Sequence, residues 1–187
     1  DFSLHGLTGF DLHGKTVGVI GGGMIGQVFA RIMHGFGCQV LVYDPFPLAG
    51  LDAIGARQAP LDEVISQSDI LSLHCPLTEQ TRHLIGTAEL ALLKPHALLL
   101  NTARGGLVDE QALADTLRAG HLGGAAFDVL SEEPPRHGNP LLAADIPRLI
   151  ITPHNAWGSR EARQRIVGQL SENARAFFAG APIRVVN

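Results

Sequence analysis

Three glycines and one aspartate carry the clearest chemical signal in this sequence. Gly21, Gly23 and Gly26 stand in G-x-G-x-x-G spacing directly after the run Thr16-Val-Gly-Val-Ile20, and an apolar-periodic segment (Ile25, Val28, Phe29, Ile32, Met33, Phe36) follows. That order reads as strand, tight turn and helix, in which backbone amides at a helix N-terminus face a pyrophosphate. The first glycine permits the turn, the second lets a pyrophosphate approach the backbone, and the third lets helix and strand pack closely. The amides of Met24 and Ile25 are expected to point at the phosphates, where the helix dipole favours negative charge. Gln39-Val-Leu-Val-Tyr43 supplies a second strand, and Asp44 follows it 18 residues after Gly26. A carboxylate there accepts hydrogen bonds from the adenosine ribose and repels a 2′-phosphate, so the expected cofactor is NAD rather than NADP. The alternatives are a purely structural glycine turn and, for Asp44, a turn residue ahead of Pro45.

Further reactive side chains recur where later strands are predicted to end. They fall in His74-Cys75-Pro76-Leu77-Thr78, Asn101-Thr102-Ala103-Arg104-Gly105-Gly106, Phe127-Asp128-Val129, Glu132-Glu133-Pro134 and Thr152-Pro153-His154. An arginine can clamp a substrate carboxylate bidentately. A histidine can exchange a proton with a hydroxyl or carbonyl oxygen, and a neighbouring carboxylate holds the imidazole charged and oriented. His74 reads as a packing residue, and Thr78 and Thr81 read equally well as turn residues. No Cys/His metal spacing occurs, so no metal is expected. Cys38 and Cys75 read as reduced, half-buried residues rather than a disulfide.

The elements that must position these groups alternate along the chain. Strands are predicted at Thr16–Ile20, Gln39–Tyr43, Ile70–His74, Ala97–Asn101, Gly124–Phe127 and Leu149–Thr152, with helices near 24–36, 61–68, 87–93 and 109–119. Alternation with mostly continuous apolar strands predicts an α/β fold: a doubly wound parallel sheet of the Rossmann kind, in three layers. Residues 1–187 are expected to form a single dinucleotide-binding domain, with 1–14 as a lead-in and 159–187 as a C-terminal helix and tail. Ser159 caps that helix, Gly180 and Pro182 end it, and Ala162, Ile166, Leu170, Ala174, Phe177 and Phe178 share a broad face.

The 187 residues are 45% hydrophobic and 17% charged, with a formal net charge of −4. That describes a globular chain with a well-filled interior and no basic field for nucleic acid. No apolar run approaches a membrane span and no secretory signal opens the chain, so a cytoplasmic setting is inferred. The start at Asp1 suggests a fragment or a processed chain.

With these motifs in order, the chain resembles the dinucleotide-binding domain of the D-isomer-specific 2-hydroxyacid dehydrogenases over nearly its whole length. The resemblance implies roles for individual residues. Arg104 matches the arginine that binds substrate and also lines the cofactor site. Glu133, rather than Glu132, matches the carboxylate paired to the catalytic histidine. His154 matches the proton donor for carbonyl reduction, and Asp128 the acid that binds the nicotinamide carboxamide. Gly21, Gly23, Met24, Ile25, Gly26, Asp44, Cys75, Pro76, Thr81, Thr102 and Ala103 fall at cofactor positions. The implied activity is hydride transfer between NAD(H) and a D-2-hydroxy acid or 2-oxo acid, of the lactate/pyruvate or glycerate/hydroxypyruvate type, by a homodimer.

The pattern departs from the family in length. Family members resembled here have a separate substrate domain built largely from residues ahead of the cofactor domain, and that segment is not in this sequence. One wall of the cleft would then be missing, so the 187 residues alone are expected to bind NAD(H) and to turn over weakly or not at all. The alternative is a module that binds NAD, or senses dinucleotides in the manner of a corepressor, without catalysis. Residues 11–46 look most like D-lactate dehydrogenases, whereas the stretch after Thr152 is more similar to glycerate dehydrogenases. Trp157 reads equally as a pocket or a packing residue.

Overall fold

In the computed structural model, which describes residues 9–185, the predicted strands join one parallel sheet. Its members are β1 (Thr16–Ile20), β2 (Gln39–Tyr43), β3 (Ala56–Gln58), β4 (Ile70–Leu73), β5 (Leu98–Asn101), β6 (Gly124–Phe127) and β7 (Leu149–Ile151). The helices are α1 (Met24–Gly35), α2 (Leu61–Gln67), α3 (Thr87–Leu92), α4 (Glu110–Arg118) and α5 (Arg160–Phe178). The chain divides into two compact units, the first running to Thr152 and the second beginning at Pro153.

Within the first unit the spatial order is β3-β2-β1-β4-β5-β6-β7. The chain winds outward from β1 to β3, crosses back, and winds the other way from β4 to β7. A crevice therefore opens beyond the C-terminal ends of β1 and β4, where the direction reverses. Side chains alternate between the two faces as a pleated strand requires. Val17, Val19, Val40 and Val42 pack with Ala30 and Met33 of α1. Ile20, Leu41, Leu71 and Leu73 pack on the opposite face with Val64 and Ile65 of α2, Leu90 of α3 and Leu113 and Leu117 of α4. The expected three layers are thus α1, sheet, and α2 to α4.

Strand β3 was not expected from the sequence. Ala56-Arg57-Gln58 is too short and too polar to stand out, and it is a strand because β2 offers it an edge, pairing Val42 with Gln58. Three short 3-10 turns (Asp52–Ile54, Gly105–Leu107 and Pro140–Leu142) were also unexpected. The first eight residues of the anticipated lead-in lie outside the described residues.

The second unit holds α5. Ser159 caps it as expected, its hydroxyl accepting the Ala162 N–H at 3.1 Å, and Gly180 follows its end with φ of 74°. Arg184 folds back onto the helix, donating to Glu172 at 2.7 Å and Asn173 at 2.9 Å. Ile166, Leu170, Phe177 and Phe178 are exposed.

Candidate active site

The glycine turn lies at the crevice between β1 and β4. Gly21 has φ of +99°, and a Cβ on it would fall 2.5 Å from the Cys75 nitrogen, so only glycine lets the turn pass beside the exit of β4. A Cβ on Gly26 would lie 2.0 Å from the Gly21 carbonyl oxygen, which is the close helix–strand approach read from the sequence. Gly23 faces open space instead. A ligand can reach the backbone there. The helical ladder of α1 begins with Gln27 N–H donating to Gly23 O at 2.9 Å, leaving the Met24 and Ile25 amides ahead of it at the positive end of the helix. Donors and bare backbone of this kind fit a dinucleotide pyrophosphate.

A cleft of about 560 Å³ continues from this turn past Tyr43, Asp44, Pro45 and Phe46 on one side and Pro76, Thr78 and Thr81 on the other. Asp44 stands at the end of β2, where its carboxylate accepts the Gly22 N–H at 2.9 Å and the Phe46 N–H at 3.1 Å. It is a turn residue and a cleft-wall carboxylate at once. Thr81 also serves its own loop, donating to Pro76 O and accepting from Thr78 N, each at 2.7 Å. Cys75 lines the cleft as a neutral thiol, its pKa pushed up chiefly by burial. Burial likewise lowers the pKa of His74, whose Nε2 lies 3.0 Å from Ser72 Oγ and whose ring packs 4.9 Å from that of Phe29.

A second cleft, about 660 Å³, is lined by Ile25, His74, Cys75, Pro76, Leu77, Thr102, Ala103 and Arg104. Arg104 is exposed in it, so its guanidinium is available to an anion. Asn101, fully buried at the end of β5, shapes this turn: its Nδ2 donates to Arg104 O at 3.0 Å and its Oδ1 accepts Ala103 N–H at 3.1 Å. Asn101 was not singled out from the sequence, although an Asn at a strand end followed by a small-residue turn is the signal of such a clamp.

In sheet register Asn101 pairs with Phe127, and Phe127 with Ile151, so β5, β6 and β7 end on one edge. Asp128 follows β6. It is buried, its backbone N–H donates to Asn101 O at 2.9 Å, and its carboxylate accepts the Thr152 hydroxyl. Glu133 lies in the irregular segment beyond, exposed, with one carboxylate oxygen accepting the Leu130 N–H at 2.8 Å. Glu132 is engaged elsewhere, against His137 Nδ1 at 2.9 Å.

The buried carboxylate of Glu110, which sequence reading missed, holds this segment on both sides of Glu133. It accepts from Ser131 N at 2.8 Å and from Asn139 Nδ2 at 2.7 Å. Asp109 caps α4 through the amides of Gln111 and Ala112, which sets Glu110 at the first helical position.

His154 belongs to the second unit. Its φ of 50° is a left-handed backbone conformation uncommon outside glycine, and its carbonyl accepts the Trp157 indole N–H at 2.9 Å. Trp157 therefore braces the turn that carries His154.

Among the described residues no helix is long and apolar enough to cross a membrane. A family model described as the NAD binding domain of D-isomer specific 2-hydroxyacid dehydrogenase matches residues 2–156. The chain is 47% identical over 177 residues to a glycerate dehydrogenase of Methylorubrum extorquens, covering 95% of this chain and 54% of that protein. It is 40% identical to a hydroxypyruvate reductase of Blautia hydrogenotrophica, again covering 95% of this chain and 54% of that protein. The structure of D-lactate dehydrogenase with NAD+ from Lactobacillus jensenii superposes with a TM-score of 0.87 at 30% identity, covering 97% of this chain and 58% of that one. The chain thus spans about half the length of the curated relatives it matches.

Proposed function

We propose that this chain, which belongs to the D-isomer specific 2-hydroxyacid dehydrogenases as their NAD-binding domain, is the cofactor half of an oxidoreductase acting on small 2-oxo and D-2-hydroxy acids. The observation that carries the reading is the juxtaposition, at one reversal point of the sheet, of the glycine turn, the Asp44 wall and the exposed guanidinium of Arg104. When bound, reduced nicotinamide supplies the hydride that reaches the carbonyl carbon of the oxo acid. The chain's own groups do the rest. Arg104 takes the substrate carboxylate and polarises the carbonyl, stabilising negative charge as it develops on oxygen. By the family resemblance, His154 is the group assigned to donate the proton to that oxygen, and Glu133 the carboxylate assigned to orient its imidazole. Asp128 receives the carboxamide, and Asp44 receives the adenosine ribose. The working protein is a cytoplasmic homodimer in this reading, with the exposed apolar side chains of α5 or the 78–96 segment as its contact surface.

The test is calorimetric titration with NADH and NADPH, followed by pyruvate and hydroxypyruvate assays on the chain with and without the upstream half of the glycerate dehydrogenase relative. NADH is expected to bind to either form and turnover to require the upstream half. No binding of NADH, or brisk turnover by the 187 residues alone, would overturn the reading.

A further inference from the structure

The wall that carries Asp44 is held in place by a single side chain from the strand the sequence did not reveal. Gln58, at the end of β3, donates from Nε2 to the carbonyls of Asp44 at 3.0 Å and Phe46 at 2.8 Å. Its Oε1 accepts the Leu48 N–H at 3.0 Å. Both donors and the acceptor of one amide are spent on five consecutive residues, Asp44-Pro45-Phe46-Pro47-Leu48.

The reason lies in the sequence of both partners. The parallel ladder between β2 and β3 ends with Ala59 N–H donating to Val42 O at 2.9 Å. Continued by two residues, it would need Leu61 N–H to reach Asp44 O. Leu61 instead begins α2, directly after Pro60, and turns away. On the other strand Pro45 and Pro47 have no N–H to offer, and they bias Asp44 and Phe46 away from helical backbone. The chain bends at Pro45 and Phe46, which brings the carbonyls of Asp44 and Phe46 close enough for one carboxamide nitrogen to satisfy both. Gln58 thus replaces a ladder the backbone cannot form.

The far end of the wall closes on the cofactor turn. A Cβ on Gly22 would lie 2.1 Å from Leu48 Cδ1, so Leu48 presses directly on the glycine loop, while Gly22 N–H holds the Asp44 carboxylate. Gln58, the 44–48 segment and Gly22 form one closed circuit beside the cleft.

We infer that Gln58 is a positioning residue that sets cofactor specificity: it fixes the Asp44 carboxylate and the Pro45–Phe46 wall for an unphosphorylated adenosine ribose. The inference rests on the cofactor reading above and deepens it. Gln58 reaches the ligand only through Asp44 and its loop. Releasing it lets the carboxylate drift from the ribose hydroxyls, which weakens NADH. The same release relieves repulsion of a 2′-phosphate and so leaves NADPH nearly unchanged.

The test uses two variants of the chain with calorimetry or fluorescence titration. Gln58→Met keeps the side-chain length and removes all three hydrogen bonds, whereas Gln58→Glu keeps the acceptor for Leu48 and removes both donors. Each is expected to raise the Kd for NADH about tenfold, the value of one well-formed hydrogen-bond set, and to change that for NADPH by less than about twofold. Reduced nicotinamide mononucleotide, which has no adenosine, is expected to bind to the variants as to the parent. A residue needed only for folding would lower the melting temperature and leave the NADH-to-NADPH ratio where it was. An unmoved ratio in a variant with parental circular dichroism overturns the inference, as does parallel weakening of the mononucleotide. Should the Met variant not fold, the Glu variant decides. If the parent chain itself does not prefer NADH, the cofactor reading fails and the inference with it; if the parent discriminates and both variants do so equally, only the role of Gln58 is lost.

Discussion

The carboxylate of Glu110, at the first position of α4, accepts both the backbone N–H of Ser131 at 2.8 Å and its hydroxyl at 2.5 Å, 21 residues along the chain. Asn139 adds a third donor at 2.7 Å. Glu110 is only 8% exposed, and removing its carboxylate takes the partner from three donors at once. Glu110→Ala is therefore expected to cost about 2–3 kcal/mol in urea denaturation, and Glu110→Gln, which keeps one oxygen, about half as much. Hydrogen exchange at the Ser131 amide should accelerate by more than the global loss explains. Exchange that tracks global stability alone would mean that Glu110 does not order the segment around Glu133.

That segment is also locked from beneath. A Cβ on Gly105 would lie 2.0 Å from the Leu130 carbonyl carbon and 2.3 Å from Ser131 N, all backbone, so nothing flexible can yield. The turn behind Arg104 and the chain leading to Glu133 are in direct contact for this reason. Gly105→Ala is expected to destabilise by about 3 kcal/mol, lowering the melting temperature by roughly 6–12 °C. A fall under about 2 °C would show that the two segments can part without cost.

What could be read in the sequence divides along a physical line. Thr16–Ile20 and Gln39–Tyr43 were legible because a β-branched apolar run buried on both faces looks like nothing else, and their bounds agree with the structure. The glycine turn was legible because its residue types answer to backbone geometry set within a few residues. Ala56–Gln58 was not legible, since its three residues become a strand only against the edge of β2. Gln58 and Glu110 escaped notice, and Asn101 was quoted without a role, for a related reason. Each is a polar side chain whose work is to satisfy backbone groups that a local pattern leaves open, and which groups those are depends on how distant segments meet. The roles of Arg104, Glu133 and His154 came from resemblance rather than from spacing.

Acid should cost stability through Asp69 only below about pH 4. Burial by itself raises its pKa, but the Thr16 N–H at 2.8 Å, His96 at 2.9 Å and Lys94 at 3.0 Å outweigh burial and hold the carboxyl at about 2. The folded value lies below the unfolded value of about 4, so its contribution is complete above that pH and is lost as pH falls through 2. A shift of this size amounts to on the order of 2 kcal/mol, with roughly half of it gone by pH 3. Urea midpoints of the parent and Asp69→Asn should therefore differ clearly at pH 6 and by about half as much at pH 3. A difference that is constant with pH would remove Asp69 from this account.

Asp44 offers the cleanest reading of cofactor choice. Serine at this position keeps a side-chain oxygen that can accept the Phe46 N–H the carboxylate now holds at 3.1 Å, so the turn should survive the change. What goes is the negative charge. Asp44→Ser is expected to weaken NADH about tenfold and to strengthen NADPH, narrowing the ratio of their Kd values by one to two orders of magnitude. Unchanged discrimination would remove Asp44 from its proposed role.

The proposed chemistry separates its residues kinetically, in a protein supplied with the upstream half. Arg104 is assigned to a substrate carboxylate that is charged before, during and after the reaction, and to a carbonyl whose charge develops only in the transition state. Lysine keeps the charge but loses the fork, so Arg104→Lys should raise KM for the oxo acid and lower kcat together. His154 is assigned to a proton that moves only as the hydride does. His154→Gln keeps a polar side chain of similar size that cannot donate a proton as an acid, so kcat should fall by about 10²–10⁴ with the Kd for NADH unchanged. Glu133→Gln removes the charge proposed to orient the imidazole, which should lower kcat by less than losing the histidine and leave the Kd for NADH unchanged. Near-normal kcat in His154→Gln would mean that the proton comes from elsewhere. A loss of NADH affinity in the same variant would mean that the residue serves the cofactor site and not the reacting carbonyl.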